Sequence, residues 1–502
     1  MKTYRCFLFL MIIPLVISCI DDKTTDATQP ISYIKIEAGI DSVYNINKND
    51  TLCIRPVISQ SIDYKELSYT WEMNLNTVSN EKELFFVGTT LGKYNCRLIV
   101  SNEDGKTFFP FTLYVNSPYE EGITLLSVDN DGNSMISFMQ AKSFDTDTTF
   151  FYNYDCFAKN NPEVKFAANA IDIVQSSDNL ILACQGGGEH NDPPTIYYLN
   201  EKTMVIENSF TVPEYDDFKP TILGIPMTNY SGTEYPVICE NGKVYEFSTT
   251  ESVISIARKH KYTYAQNCII NYGNGYDILL WDYDNNGLSL ITNGYGPYYC
   301  SKEYHLMLND SAFSKNNYFN SKTLVTMAKV NMTAAQKRET GQHNEMIIIT
   351  KMPNNITMRS EVIYTDFWGY NYTTQTYTFP VANTTQGNVF TPPLNETTPC
   401  IANKTFYSLL FANGNKVRRW NYNSNISKLP AAETLLTVGS EKAVITGFEI
   451  SKDHLKTYVS FYEPEQEGLN GSLWVFDTDK GTVLEKYENV CYRPVKMIYK
   501  NK

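Results

Sequence analysis

One local theme recurs in this chain from about Ser117 to its end: a strand-like run, a turn rich in Asn, Asp or Gly, and a second strand-like run. Val237-Ile238-Cys239 turns at Glu240-Asn241-Gly242 into Lys243 to Phe247. Asp277 to Tyr283 turns at Asn285-Asn286-Gly287 into Leu288 to Thr292. Ser408 to Phe411 turns at Asn413-Gly414 into Val417 to Tyr422, and Ser472 to Asp477 turns at Asp479-Lys480-Gly481 into Thr482 to Leu484. Weaker hairpins sit near Asp131-Gly132, Glu201-Lys202 and Asn354-Asn355. Asn and Gly tolerate the positive φ that tight hairpin turns require, so the pattern has a mechanism.

Seven such hairpins predict a unit repeated every ~40–70 residues, the spacing of propeller blades with insertions. A four-stranded blade cannot bury both faces alone, so blades must stack around a channel. A row of β-sandwiches is the competing architecture. It needs separate cores and linkers, and no Pro/Ser-rich linker follows residue 120. The reading is a β-propeller-like domain over 117–502, of seven blades. The chain holds 37 tyrosines, and Tyr, Thr, Val, Ile and Phe favour strands. The best helical stretch is short, around Val330 to Lys337, with Gly341 soon after. The expected fold class is all-β.

Residues 31–116 have a different rhythm, with turn signals every ~8–12 residues, the pattern of a β-sandwich. Leu52 to Ile58, Leu67 to Met73, Gly92 to Val100 and Phe108 to Val115 read as strands, the last two joined by a turn at Asn102-Glu103-Asp104-Gly105. Tyr69-Thr70-Trp71, Gly92-Lys93-Tyr94 and the Asp104-Gly105 hairpin together resemble PKD-like modules of the immunoglobulin fold. The resemblance implies that Trp71 fills the space between two sheets and that Tyr94 is the corner tyrosine, two residues before Cys96. It also invites a Cys53–Cys96 disulfide. Alternation argues against that bond: Leu52, Ile54 and Ile58 share the apolar face, which turns Cys53 outward, whereas Cys96 shares an inward face with Tyr94 and Leu98.

The N-terminus carries an export pattern. Lys2 and Arg5 precede an apolar run from Phe7 to Ile17, too short to span a hydrocarbon core, which takes ~20 residues. Val16-Ile17-Ser18-Cys19 resembles the lipobox of bacterial lipoproteins, which implies a signal peptide over 1–18, acylation of Cys19 and a lipidated tether over 19–30. An ordinary signal peptide with a chance cysteine is the other reading. Asp21-Asp22 resembles the acidic tag that directs lipoproteins of Bacteroides-type bacteria to the outer face of the outer membrane. Once Cys6 leaves and Cys19 is acylated, an odd number of the 11 cysteines remains, so they cannot all pair within the chain.

Lipobox, PKD-like module and β-rich body together resemble the PKD-like lipoprotein family of Bacteroides. The resemblance supplies no established catalytic motif to carry over. The resemblance implies an accessory role in starch-utilisation-type uptake systems, in which a TonB-dependent transporter works with a lipoprotein lid.

The formal charge of −13 argues against nucleic acid, whose phosphates it repels. The five histidines form no HExxH or other metal-ligand spacing, and neither GxSxG nor a Walker sequence occurs. Gly186-Gly187-Gly188-Glu189-His190 reads as a turn, because Asp192-Pro193-Pro194 follows where a phosphate cradle wants a helix. Asp282, Asp284 and Asn286, with Gly287, match the first half of a calcium loop, but position twelve is Asn293 rather than Glu, and a plain hairpin is favoured. Asp129, Asp131 and Asn133 make a weaker match. Carboxylates are plentiful, but no spacing in the sequence singles out an acid–base pair.

Aromatic loops are the stronger lead. Phe367 to Thr374 and Asn293 to Tyr299 break strand alternation and offer Trp368, Tyr370, Tyr372, Tyr298 and Tyr299 as ligand-binding candidates. Trp281, Trp420 and Trp474 lie within strands and read as core. The expectation is a surface-exposed outer-membrane lipoprotein without enzymatic activity or cofactor, capturing a glycan or peptide or docking onto an uptake complex. The alternatives are a propeller enzyme acting on polysaccharide, as hydrolase or lyase, and a purely structural scaffold.

Overall fold

The computed structural model describes residues 30–140, 152–176, 178–212, 218–225, 227–229, 232–240, 242–248, 254–255, 269–272, 276–282, 287–292, 302–305, 322–339, 344–351, 358–365, 370–371, 376–377, 381–386, 394–422 and 433–501. The chain divides into two compact units, Met1–Ser117 and Pro118–Lys502. Strands dominate both, so the protein is all-β.

The first unit has two layers. One is a five-stranded sheet in the order Val43–Asn47, Gly105–Asn116, Gly92–Asn102, Ser68–Met73, Asn76–Ser79. Facing it are two short pairs, Ile34–Ala38 with Val57–Gln60 and Thr51–Ile54 with Leu84–Val87. The long hairpin of the large sheet closes at Asn102, whose side-chain oxygen accepts the amide N–H groups of Asp104 (3.0 Å) and Gly105 (3.1 Å). Burial alternates along both its strands, so Cys96, Leu98 and Val100 pack with Phe111, Leu113 and Val115 against Leu52, Ile54 and Leu84 of the opposite layer.

Trp71 sits inside this core, edge-on to Phe111 at 6.0 Å, and its Nε1 donates to the Glu81 carbonyl at 2.9 Å. Tyr94 Oη donates to the Thr90 carbonyl at 2.8 Å, tying the strand start to the preceding turn. Cys53 is exposed, Cys96 is buried, and both are free thiols. One expectation needs correction: Leu52 to Ile58 is not a single strand. It breaks at Arg55-Pro56, where proline removes an amide donor, and the two halves join different strand pairs.

The second unit consists of antiparallel sheets built four strands at a time. Ala170–Ser176, Asn179–Cys184, Thr195–Asn200 and Ile206–Thr211 form one in chain order. Pro220–Leu223, Gly232–Cys239, Val244–Ser248 and Ile254–Ser255 form the next, with Met227–Asn229 added to its second strand. Ile269–Tyr272, Tyr276–Asp282, Gly287–Thr292 and Lys302–His305 follow. An eight-stranded sheet comprises two such sets, Thr323–Asn331, Asn344–Lys351, Met358–Thr365, Val381–Gln386 and Cys400–Asn403, Ser408–Asn413, Lys416–Asn421, Glu433–Thr437. The two sets are hydrogen-bonded where their leading strands pair in parallel, Val330 with Ala402 and Asn331 with Asn403. Val444–Ile450, Lys456–Tyr462, Gly471–Asp477 and Val483–Cys491 make another set.

The remaining sheet joins the two ends of this unit. The closing strand Arg493–Lys500 pairs with Gly122–Val128, followed by Ser134–Gln140 and Tyr152–Asn153. Each hairpin read from the sequence lies in a different four-stranded set. Leading strands touch their counterparts: Ala170–Ser176 packs beside the closing strand and beside Pro220–Leu223, and Val444–Ile450 beside the closing strand.

The sheets bury both faces, which explains strands without polar alternation. Leu180, Leu182 and Cys184 face Leu126, Ile136 and Phe138, whereas Ile181 and Ala183, pointing the other way, meet Tyr235, Val237 and Phe247. Leu409 and Phe411 likewise pack with Val330 and Ile349, and Leu410 and Ala412 with Val459 and Phe461. Trp281 and Trp420 are buried, and the Lys486 ammonium lies 3.9 Å over the ring of Trp474.

The helical stretch read at Val330 to Lys337 begins later than expected, because strand pairing holds Val330 and Asn331. The helix is Ala334–Glu339. It starts on a reciprocal cap in which Thr333 Oγ1 accepts the Gln336 N–H (3.3 Å) and Gln336 Oε1 accepts the Thr333 N–H (2.9 Å).

Candidate functional site

The sheet closed by Arg493–Lys500 faces the set beginning at Val444. Ile123, Leu125, Met135 and Met139 pack there against Leu473, Val490, Cys491 and Met497. At one margin of this core the side chains turn polar and a cavity of about 190 Å³ opens. Gly122 stands at its wall because a side chain there would meet the Met139 carbonyl oxygen at 2.0 Å.

Three tyrosines line the cavity, each from a different strand: Tyr458, Tyr487 and Tyr499. Tyr499 Oη donates to Glu121 Oε1 at 2.8 Å, and Lys452 Nζ approaches the same oxygen at 3.5 Å. Tyr487 Oη donates to Glu485. The Tyr458 ring rests against that of Tyr499, centroids 5.9 Å apart, while its hydroxyl has no protein hydrogen-bond partner among the described residues. Burial, reinforced by the carboxylates of Glu485, Asp453, Glu449 and Glu121, pushes the Tyr458 phenol up to about 12. Burial and Glu121 raise Tyr499 as well.

The carboxylates differ in character. Burial works against charge on Asp453, but the Ser451 hydroxyl (2.6 Å) and the Leu455 N–H (3.0 Å) outweigh it and hold the carboxyl below its usual range. Glu449 is pushed up to about 7 by burial, against the opposing pull of the Ile450 N–H (3.1 Å) and Lys496. Lys496 Nζ lies 3.0 Å from Asp172 Oδ1, and the other oxygen of Asp172 accepts the Leu223 N–H at 2.8 Å. An ion pair and a backbone hydrogen bond, both at Asp172, thus link Ala170–Ser176 to the closing strand and to Pro220–Leu223.

Glu449 gives a test of this electrostatic picture. Its proton is held more tightly in the fold than in the unfolded chain, so stability falls as pH rises from 4.5 through about 7. Glu449→Gln is expected to flatten that slope. Above neutrality the variant should exceed the parent by on the order of 2 kcal/mol, allowing for partial solvent screening. Urea unfolding across this range measures both, and parallel pH profiles for the two proteins would disprove the assignment.

None of the site residues singled out from the sequence is among the described residues that line this cavity. Cys19, Trp368, Tyr372, Tyr298, Tyr299, Asp284 and Asn286 lie outside the described residues. Of Tyr370 and Asp282 the backbone is described: Tyr370 pairs with Tyr377, and Asp282 pairs with Gly287 at a strand end. The glycine loop is a closed turn. Gly186, Gly187 and Gly188 all have positive φ, and the amides of Gly186 and Gly187 are taken by the carbonyls of Ala168 (3.0 Å) and Asp192 (2.7 Å). The Asp129 carboxylate is occupied by its own turn, accepting from the backbone of Asp131 and Asn133 and from the Asn133 side chain. Among the described residues no group of three or more His, Cys, Asp or Glu is placed to hold a metal ion.

The tyrosines of the cavity were not evident in the sequence. The only local signal was Glu485-x-Tyr487, two residues on one face of a strand. The rest of the site depends on bringing residues near 121, 458 and 499 together.

No protein-family model matches the chain, and no curated protein matches it. Solved structures with similar folds include a quinonprotein alcohol dehydrogenase-like protein from Bacteroides thetaiotaomicron, at 15% identity and a TM-score of 0.47, covering 93% of this chain and 99% of that one. The β-propeller domain of Cps50 (Swd1) from Myceliophteria thermophila is similar at 10% identity and a TM-score of 0.36, covering 65% and 87%. TolB from Acinetobacter baumannii is similar at 8% identity and a TM-score of 0.35, covering 82% and 81%.

Proposed function

We propose that this protein is a surface-exposed lipoprotein of the outer membrane that captures glycan without catalysing a reaction, as an accessory of a TonB-dependent uptake complex. The observation that carries the capture reading is the cavity at the closing strand, where three tyrosines meet two carboxylates, Asp453 and Glu485, and two lysines, Lys452 and Lys456. Sugar rings present C–H faces that stack on aromatic rings and hydroxyls that bond polar groups, and this wall offers both. In this reading Cys19 is the acylated anchor. The first unit is a PKD-like module, supported by the buried Trp71 and the Tyr94 corner bond. The second is a seven-bladed propeller, supported by the four-stranded sets and the strand that closes the first of them with the last segment of the chain.

Two experiments test the reading. Cys19→Ala is expected to move the protein from the membrane fraction to the soluble one; continued dependence on detergent would remove the anchor from the proposal. On a glycan array the parent should bind, and Tyr487→Ala should weaken binding by about tenfold, the loss of one stacking ring with its hydrogen bond. Unchanged binding would move the site elsewhere.

A further inference from the structure

We infer that the first unit carries a second carbohydrate site, an open cleft beside the edge strand Val43–Asn47 that takes a neutral oligosaccharide. It shares with the capture reading only the class of ligand, and none of its residues lines the tyrosine cavity.

The strand pattern builds the cleft. Tyr44 and Ile46 turn toward the core of the unit, so Asn45 and Asn47 face the other way. Leu113 and Val115 are buried in the same core, which turns Tyr114 and Asn116 outward on the neighbouring strand. The two strands run parallel at the margin of the five-stranded sheet, with Asn45 opposite Tyr114 and Asn47 opposite Asn116. Three carboxamides and a phenol therefore share one face. Asn45, Asn47 and Asn116 line a cleft of about 440 Å³, together with Asp50 and Thr51. That volume falls within the ~300–1,000 Å³ of small-ligand sites.

The chemistry of the lining selects the ligand. Among the described residues, none of the three carboxamides hydrogen-bonds to another protein group, and neither does the Tyr114 hydroxyl. Each carboxamide offers two N–H donors and one carbonyl acceptor, and the hydroxyls of Thr51 and Tyr114 both donate and accept. A sugar presents a row of hydroxyls, each of them also donor and acceptor, so the two sets of groups are complementary. Charge points the same way. Asp50 is the one charged side chain of the lining, and one of its oxygens already accepts the Asn47 N–H at 3.0 Å. Lys93 sits 5.9 Å over the Tyr114 ring, outside the lining. An acidic chain would meet Asp50 with no cation in the lining to receive it, and a cationic one would find a single carboxylate that is partly engaged. A neutral polyol forgoes nothing here.

Calorimetric titration of the full protein with maltohexaose, cellohexaose, mannohexaose and hexagalacturonate tests the inference. Binding of a neutral hexasaccharide at the cleft is expected to survive Tyr487→Ala and to weaken about tenfold in Asn116→Ala. Asn45→Ala should weaken it as well, and because Asn45 is exposed this second variant does not depend on a buried side chain for its fold. Binding lost in Tyr487→Ala but unmoved in both asparagine variants overturns the cleft and leaves glycan capture at the tyrosine cavity. Binding lost in the asparagine variants but unmoved in Tyr487→Ala upholds the cleft and takes capture away from that cavity. Tighter binding of hexagalacturonate, weakened by the same asparagine variants, overturns the neutral class. No binding of any of the four overturns the cleft, and with a silent glycan array it overturns both readings.

Discussion

Truncation after Tyr492, which removes the closing strand Arg493–Lys500, is expected to abolish cooperative folding of the second unit. The strand pairs along Gly122–Val128, with Met497 opposite Leu125 and Lys500 opposite Gly122. Every residue of Gly122–Val128 is buried, so removing the partner exposes an apolar strand edge and part of two cores at once. Met497 alone, replaced by Ala, should cost about 2–5 kcal/mol.

The strand's end is also pinned by polar contacts. Lys500 Nζ donates to the Glu120 carbonyl at 2.6 Å and lies 3.8 Å from Glu201, and the backbone of Asn501 exchanges two hydrogen bonds of 2.9 Å with the Gln175 side chain. A domain is stable by only ~5–15 kcal/mol in total, and the combined loss exceeds that margin. Scanning calorimetry should therefore lose the transition of the second unit, and the near-ultraviolet circular dichroism of its aromatic core should collapse. A truncated chain that retains that transition at its original temperature would refute the closure role.

Trp71→Ala is the second large effect, expected to destabilise the first unit by about 3–5 kcal/mol. The substitution empties the centre of a two-layer core, removes the edge-on contact with Phe111 and leaves the Glu81 carbonyl without its 2.9 Å donor. Trp71→Phe should separate these contributions. It keeps much of the ring volume but loses the hydrogen bond, and about 1–3 kcal/mol is expected for that part. Urea unfolding followed at the first unit's own transition gives both values. A Trp71→Ala loss below about 1 kcal/mol would mean that the core does not depend on this ring.

Both predictions concern features read with unequal ease from the sequence. Trp71, Tyr94 and the Asn102–Gly105 turn lie in short segments whose alternation and turn chemistry are local, so their environments follow from neighbouring residues. Glu81, which takes the Trp71 hydrogen bond, is ten residues away on the far side of a hairpin and carries no signal of its own. The break at Pro56 was legible in principle, since proline withholds a ladder donor, but the apolar spacing of Leu52, Ile54 and Ile58 continues across it and masks the change of partner. The same competition moved the helix near Val330. Helical spacing there was outweighed by a parallel pairing with Ala402, a residue no local pattern connects to it.

The candidate site was almost invisible for a related reason. Glu121 and Tyr499 meet at 2.8 Å although 378 positions separate them. Tyrosine is so common in this chain that the cavity's members are unremarkable one by one, and the loops that looked aromatic stood out only because they interrupt alternation.

By itself the sequence determined the local level: an all-β chain, a hairpin for each four-stranded set, turns placed by Asn, Asp and Gly, and a first unit with its own rhythm. These follow from backbone sterics and from the two-residue period of a strand, which act over a few positions. Only the tertiary structure decided which strand ends meet, that Arg493–Lys500 lies beside Gly122–Val128, and that three tyrosines share one cavity with Asp453 and Glu485. Those pairings depend on burying apolar residues on both faces of neighbouring sheets at once, as at Leu180–Cys184 and Leu409–Ala412, a condition on the whole unit that no short segment can express.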